Sequence, residues 1–237
     1  MIIKRQILLS ASLLIMCLLP ASVQSAMYYI SPTGSDTNPG TSAKPWLTFA
    51  YAIDPARASC GDTLLLTNGV YGDGTSTGKI SISGLICTAG NELIIRALNQ
   101  RQAKINDDGR GKAIYIANSA FIIIDGLYAC STDNISATSS GYGTPLLITN
   151  SHHIHAKNLV GKNPNRYVNS HVFSVHFSQE ILLEDLEGYV FHRHCIETHQ
   201  DSEVVARRIY CNPRGGKIPG GGAVRILSCF PINLSNT

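Results

Sequence analysis

AIYIANSAFIIIDGL, residues 113–127, returns three times further along the chain, as LLITNSHHIHAKNL (146–159), FSVHFSQEILLEDL (173–186) and CIETHQDSEVVARRI (195–209). Each copy has a short alternating run, a polar bend, a second alternating run and a closing Leu or Ile. The closing residues Leu127, Leu159, Leu186 and Ile209 are separated by 32, 27 and 23 positions. The first-run anchors Ile116, Ile148, Val175 and Thr198 keep the same separations, and AVRIL adds Ile226 a further 28 positions on. Two columns with matching offsets mark an internal repeat whose insertions leave at the turns.

No single copy can bury its apolar face alone. Alternation gives each run one apolar side, and stacking the copies joins those sides into a continuous core. The 3.6-residue period of a helical solenoid is absent, and so is a Leu-rich consensus with its Asn. The pattern predicts an all-β chain, a single-stranded right-handed parallel β-helix with a short amino-terminal capping helix within Leu47 to Asp54.

Ile114, Ile116, Ile122 and Ile124 set the parity, because neighbours on a strand point oppositely. The inward set is then Leu146, Ile148, Phe173, Val175, Ile196 and Thr198, with the bend residues Asn118, Asn150, Phe177 and Gln200 also inward. The outward first-run set includes Tyr115, Ser174, His176, Glu197, His199 and Arg225. The second run presents Asp125, Lys157, Glu184 and Arg207 outward, with alternating sign, a pattern expected of a surface charge ladder.

The stretch HRHCIETH (192–199) looks like a metal motif. The parity divides it: His192, Arg193 and His194 fall to the turn, while Cys195, Glu197 and His199 face outward. His199 is expected to stack on His176, and Glu197 to lie near Arg225. No metal site is assigned. Of His152, His153 and His155, only His155 is expected to face outward. Asp107-Asp108-Gly109 reads as a turn before a strand.

The first residues carry Lys4 and Arg5, an apolar run from Ile7 to Leu19, and small residues up to Ser25. That order predicts a signal peptide over 1–25, with a β-helix domain over 26–237, a lead-in and cap over 26–60, and rungs over 61–230. The apolar run falls short of the ~20 residues of a membrane span. The full sequence has 19 basic and 16 acidic residues, so loss of Lys4 and Arg5 leaves 17 against 16. Such a balance gives no basic stripe for nucleic acid. Loss of Cys17 leaves six of seven cysteines, an even count that fits disulfides in a secreted, periplasmic or extracellular chain. Cys60 and Cys87 flank one segment and form the expected pair; the pairing among Cys130, Cys195, Cys211 and Cys229 stays open.

YYISPTGSDTNPGTSAKPWLTFAYAID (28–54) followed by CGDTLLLTNGVY (60–71) resembles the leading segment of extracellular pectin lyase-like β-helix proteins. In those, an opening strand, a Gly/Pro-rich loop and a short helix precede a G-D-T strand. The resemblance covers about residues 28 to 230. It implies an exported, carbohydrate-active protein whose partner is a polysaccharide. One activity of this fold is the lyase reaction, β-elimination on a uronate, with Lys or Arg as base and Ca²⁺ held by carboxylates. The chain departs from that pattern, because no three or four carboxylates converge in the register. The G-H-G of the hydrolases and the D-P-x-x-D-x-x-E of alginate epimerases are also absent. The catalytic candidates are therefore Arg225, His199 and Glu197, and the substrate-binding candidates His176, Tyr115 and Arg193. Ca²⁺ enters only with a lyase. A non-catalytic glycan-binding or adhesin-like module is the alternative. After AVRIL no second strand or cap is expected, so further rungs or a partner would cover an open end.

Overall fold

The computed structural model describes residues 25–72, 79–107, 112–131, 144–162, 171–191, 193–212, 224–227 and 233–235. The amino-terminal part contains β1 (Met27–Ile30), α1 (Phe49–Ala52), β2 (Thr63–Leu66), β3 (Gly69–Tyr71), β4 (Ile80–Ser83), β5 (Leu93–Ala97) and β6 (Ala103–Asp107). The next rungs hold β7 (Lys112–Ala117), β8 (Ala120–Asp125), β9 (Tyr128–Ser131), β10 (Thr144–Thr149), β11 (His152–Lys157) and β12 (Val160–Lys162). Then follow β13 (His171–His176), β14 (Gln179–Tyr189), β15 (His194–His199), β16 (Ser202–Asn212), β17 (Val224–Leu227) and β18 (Asn233–Ser235).

All these strands pair in parallel, as a chain must when each turn lays its strands on those of the turn before. The first strands form a six-stranded sheet in the order β17-β15-β13-β10-β7-β4. The second and third strands belong to one larger sheet, because β14 and β16 run unbroken through the second corner. The chain is a right-handed parallel β-helix.

The register follows the repeat offsets: Ile116 pairs Ile148, Ile148 pairs Val175, Val175 pairs Thr198, and Thr198 pairs Ile226. The inward column is dry, with Ile114, Ile116, Leu146, Ile148, Phe173, Val175, Ile196 and Thr198 all at most 2% exposed. Each large aliphatic side chain contributes about 1.5–3 kcal/mol by leaving water, which no single rung can collect alone. Leu127, Leu159 and Leu186 close their rungs in the core, and Ile209 packs against it partly buried.

The expected helix shortens to one turn. Thr48 caps it by accepting the Tyr51 N–H at 3.2 Å, and Asp36 accepts both the N–H and the hydroxyl of Thr48. Starting the helix after Leu47 lets Trp46 turn inward, where its indole N–H donates to Asn38 O at 2.8 Å.

The bend column is the main correction. Asn118, Asn150, Phe177 and Gln200 are exposed, not inward, and all four have φ between 48° and 55°. This left-handed backbone turns the side chain to solvent and breaks the strand parity at the corner. The inward place passes to the next residue on each rung, Ser119, Ser151, Ser178 and Asp201, at 1%, 3%, 4% and 1% exposure. They form a ladder along the stack. Leu85 N donates to Ser119 Oγ and Ser119 N to Ser151 Oγ, both at 3.2 Å. Ser151 N donates to Ser178 Oγ at 3.2 Å, and Ser178 N to Asp201 Oδ1 at 2.7 Å. Each serine hydroxyl in turn donates to a carbonyl two residues earlier, on Ala117, Thr149 and His176.

A second slip of parity lies at the start of each first strand. Two successive residues are buried there on four rungs: Ala113 and Ile114, Pro145 and Leu146, Val172 and Phe173, Cys195 and Ile196. Cys195 therefore enters the core instead of sharing the face of Glu197, and it is bonded to Cys211. The space is made by Gly188, since a Cβ there would collide with Cys195 Sγ; Gly161 makes the same room for Val172 one rung earlier. The expected pair Cys60–Cys87 is also bonded.

Three smaller expectations change. Asp107 ends β6 fully buried instead of lying on a turn, and Asp108 and Gly109 lie outside the described residues. The column of alternating charge forms, but Glu184 is gripped mainly by Arg207 at 2.7 Å, His155 at 3.0 Å and Arg208. A second strand does follow β17: β18 pairs with β16, Asn233 opposite Val205. The segment 1–24, most of the expected signal peptide, lies outside the described residues, as do His192 and Cys229. Among the described residues no helix is long and apolar enough to cross a membrane.

Candidate functional site

The six-stranded sheet carries the chemistry on its outer face. Glu197 on β15 lies beside Ser174 on β13 and, in backbone register, beside Arg225 on β17. Its carboxylate accepts from His171 Nε2 at 2.8 Å. His176 Nε2 stands 3.5 Å away, too long for a strong hydrogen bond, so His171 is the main partner. Burial alone would raise the Glu197 pKa; the His171 and His176 contacts outweigh it and hold the carboxyl well below the usual carboxylate range. Glu197 is therefore an ionised acceptor that orients imidazoles, and a poor proton acceptor itself.

His194 joins this group, which the sequence placed in the turn. It opens β15, pairs in register with His171 and is only 7% exposed. Its ring lies parallel to that of His171, centroids 5.0 Å apart, with the two Nδ1 atoms at 3.1 Å. The parity slip explains the difference. Once Val172 and Cys195 point inward, the residue before each is turned towards the face of Glu197. HRHCIETH thus supplies two members of one cluster, His194 and Glu197, and the third, His171, comes from the rung before. The signal that could have found His171 is its offset from His194, 23 positions, equal to the rung spacing there.

His199 and His176 are neighbours as expected, but edge-on instead of stacked, with centroids 6.0 Å apart and planes at 75°. Phe177, half exposed at 51%, meets the His199 ring edge-to-face at 5.4 Å. Tyr115 shares the column of Glu197 but lies three rungs away by register, about 14 Å at ~4.8 Å per rung, and does not join the cluster. Arg193 sits at the bend before β15, partly buried. Arg225 is placed by its backbone pairing with Glu197.

A shallow depression of about 420 Å³ lies next to this patch at the left-handed corner, lined among others by Asn150, His152, Phe177, Gln179 and Gln200. A second histidine group borders it. His152 and His153 have their Nδ1 atoms 2.8 Å apart, and His153 pairs with Glu180 at 2.9 Å and stacks on Phe121. His153 has φ +54° and faces solvent, and His155 lies on the outward side of β11 as expected, half-buried against Glu184. Burial lowers the His155 pKa, against the hydrogen bond it donates to Glu184, which raises it.

Among the described residues each group able to hold a metal ion contains one carboxylate and two histidines. Ca²⁺ takes six to eight oxygen ligands, so neither group fits it, and no calcium-dependent step is assigned.

No protein-family model matches the chain, and no curated protein matches it. Solved structures do. A rhamnogalacturonan lyase superposes with a TM-score of 0.61 at 15% identity over 86% of this chain and 62% of its own. A GH136 lacto-N-biosidase from Eubacterium ramulus gives 0.53 at 14% identity over 86% of this chain and 40% of its own. The pectate lyase Pel9A gives 0.50 at 13% identity over 85% of this chain and 59% of its own. These likenesses establish the fold. The chain spans less than two thirds of the length of each of these structures.

Proposed function

We propose that this chain is an exported protein that acts on carbohydrate, and that its reaction is β-elimination on a uronate-containing polysaccharide at the outer face of the six-stranded sheet. The observation that carries the reading is the Glu197 carboxylate, held between His171 and His176 with His199 beside them. An outer sheet face with imidazoles, and Arg225 in backbone register beside Glu197, suits an anionic sugar. In this reading His199 takes the C5 proton of the uronate, Arg225 neutralises the sugar carboxylate, and the C4–O bond breaks to leave a C4=C5 double bond, its electron pair departing on the glycosidic oxygen, which takes a proton from water. Histidine is suited to the base role because its ordinary pKa lies near the working pH. Phe177 offers a half-exposed ring on which a sugar can rest. The names of the structural neighbours, among them a rhamnogalacturonan lyase and a pectate lyase, support a carbohydrate role, and two disulfides suit an oxidising compartment.

The second reading is a glycan-binding module without catalysis, favoured by the exposed amides Asn150 and Gln200 that line the depression. Incubation with a panel of uronate polysaccharides, with and without calcium, separates the two. Elimination creates an unsaturated uronate that absorbs in the ultraviolet. Binding to a polysaccharide without any rise in absorbance on the whole panel would overturn the lyase and leave the module.

A further inference from the structure

We infer that His171, His194 and Glu197 form a binding site for a divalent transition-metal ion of the zinc type. Each of the three offers one ligand atom, and these atoms lie within 4.8 Å of one another. The site is built by the register. His171 and His194 are paired across β13 and β15, and Glu197 lies three residues along β15. Both histidines are 7% exposed, so their rotamers are confined by packing before any ion arrives.

The nitrogen separation is the telling quantity. A tetrahedral zinc with Zn–N of 2.0–2.1 Å keeps its ligand nitrogens about 3.3 Å apart. The two Nδ1 atoms stand at 3.1 Å, joined by a hydrogen bond whose proton an incoming ion would displace. A neutral imidazole has one N–H and one lone pair, and His171 directs its Nε2 at a carboxylate. That bond favours the tautomer with the proton on Nε2 and the lone pair on Nδ1, facing His194. A carboxylate behind a ligating histidine is the usual outer support of a zinc site. Two histidine nitrogens, one of them backed by a carboxylate, suit a zinc centre whose remaining positions are taken by water or substrate. Nitrogen donors also select a borderline transition ion over Ca²⁺ or Mg²⁺. The group of His152, His153 and Glu180 offers the same residue types, but His153 and Glu180 have side chains 40% and 39% exposed and must be immobilised from solvent on binding.

The inference does not rest on the carbohydrate reading, and its test reads metal, not turnover. The full chain is stripped with a chelator and titrated calorimetrically with Zn²⁺, then with Co²⁺ under visible spectroscopy. One tight ion is expected at the buried group, with Co²⁺ bands of a four- or five-coordinate nitrogen–oxygen site. His171→Ala and His194→Ala should abolish that binding event, Glu197→Gln should weaken it about 10–100-fold, and His153→Ala should leave it intact. The wild-type Co²⁺ spectrum decides the matter even if the alanine variants fail to fold. An octahedral aqueous spectrum, Zn²⁺ affinity unchanged in folded His171→Ala and His194→Ala, or binding lost only in His153→Ala would each overturn the site.

Discussion

Asp201 accepts the backbone N–H of Ser178 at 2.7 Å, in the place where the three preceding rungs use serine. Its other oxygen accepts the His199 N–H at 2.7 Å, so one carboxylate satisfies donors on two rungs just behind the histidine patch. Serine at 201 would accept the Ser178 N–H and donate to the His199 carbonyl, as Ser178 does on its own rung. Asp201→Ser keeps the Ser178 contact and loses only the one to the His199 N–H, so it should cost less than the loss of both. Asp201→Ala orphans buried donors and should cost about 1–3 kcal/mol, read from urea denaturation of both variants.

The same carboxylate should give the protein an unusual pH response. Burial pushes the Asp201 pKa up to about 6, against the N–H groups of Ser178 and His199 and the nearby imidazoles. The unfolded carboxyl titrates near ~3.9. Between these values the folded state binds the extra proton, so this group's contribution increases as pH falls from about 6 to about 4. Glu184, Asp185, Glu187 and Glu197 act oppositely. Their pKa values are depressed, and the stability they supply is lost as pH falls below about 4. Urea midpoints across pH should peak in the mildly acid range, and Asp201→Ser should remove the rise between about 6 and 4.

His199 and Phe177 separate chemistry from binding. If His199 is the base, His199→Ala should lower kcat about 10²–10⁴-fold while the fold survives, because the backbone N–H of that residue still reaches Asp201. Phe177→Ala removes a half-exposed ring and should change stability by less than about 0.5 kcal/mol. Its effect should fall on KM, through loss of the sugar platform. Steady-state kinetics on the substrate found in the elimination assay, with circular dichroism of both variants, check the split.

The Cys195–Cys211 bridge closes a separation of 16 residues. Replacing both cysteines by alanine should cost about 3 kcal/mol on the chain-entropy account. Gly188→Ala should be destabilising with the bridge in place, because the new methyl meets Cys195 Sγ. It should be milder once Cys195 is alanine. A double-mutant cycle in denaturant measures that coupling.

The repeat was legible because two columns of the sequence obey one set of offsets, and the backbone pairing from Ile116 to Ile226 reproduces them. Strand parity was legible only between the two corners. At Asn118 and Asn150 the residue type tolerates positive φ, but Phe177 and Gln200 adopt it without such a signal, so the column as a whole does not announce the reversal. At Cys195 the slip depends on Gly188, a residue on another face of the coil, and no local pattern links them. His194 was misplaced for that reason, while Glu197, His176 and His199, which lie beyond the slip, were placed on the correct face. The disulfide Cys60–Cys87 followed from flanking position, whereas Cys195–Cys211 needed the third face of the coil.

The left-handed corner separates two jobs that strands usually combine. Serine and Asp201 bind successive coils together from within, and the residue just before each is released to solvent at a fixed pitch along the axis. Asn118, Asn150, Phe177 and Gln200 can therefore be exchanged one coil at a time without disturbing the interior, within what a left-handed backbone accepts. The corner is a row of interchangeable positions, and a surface built this way can drift from one ligand to another while its scaffold stays the same.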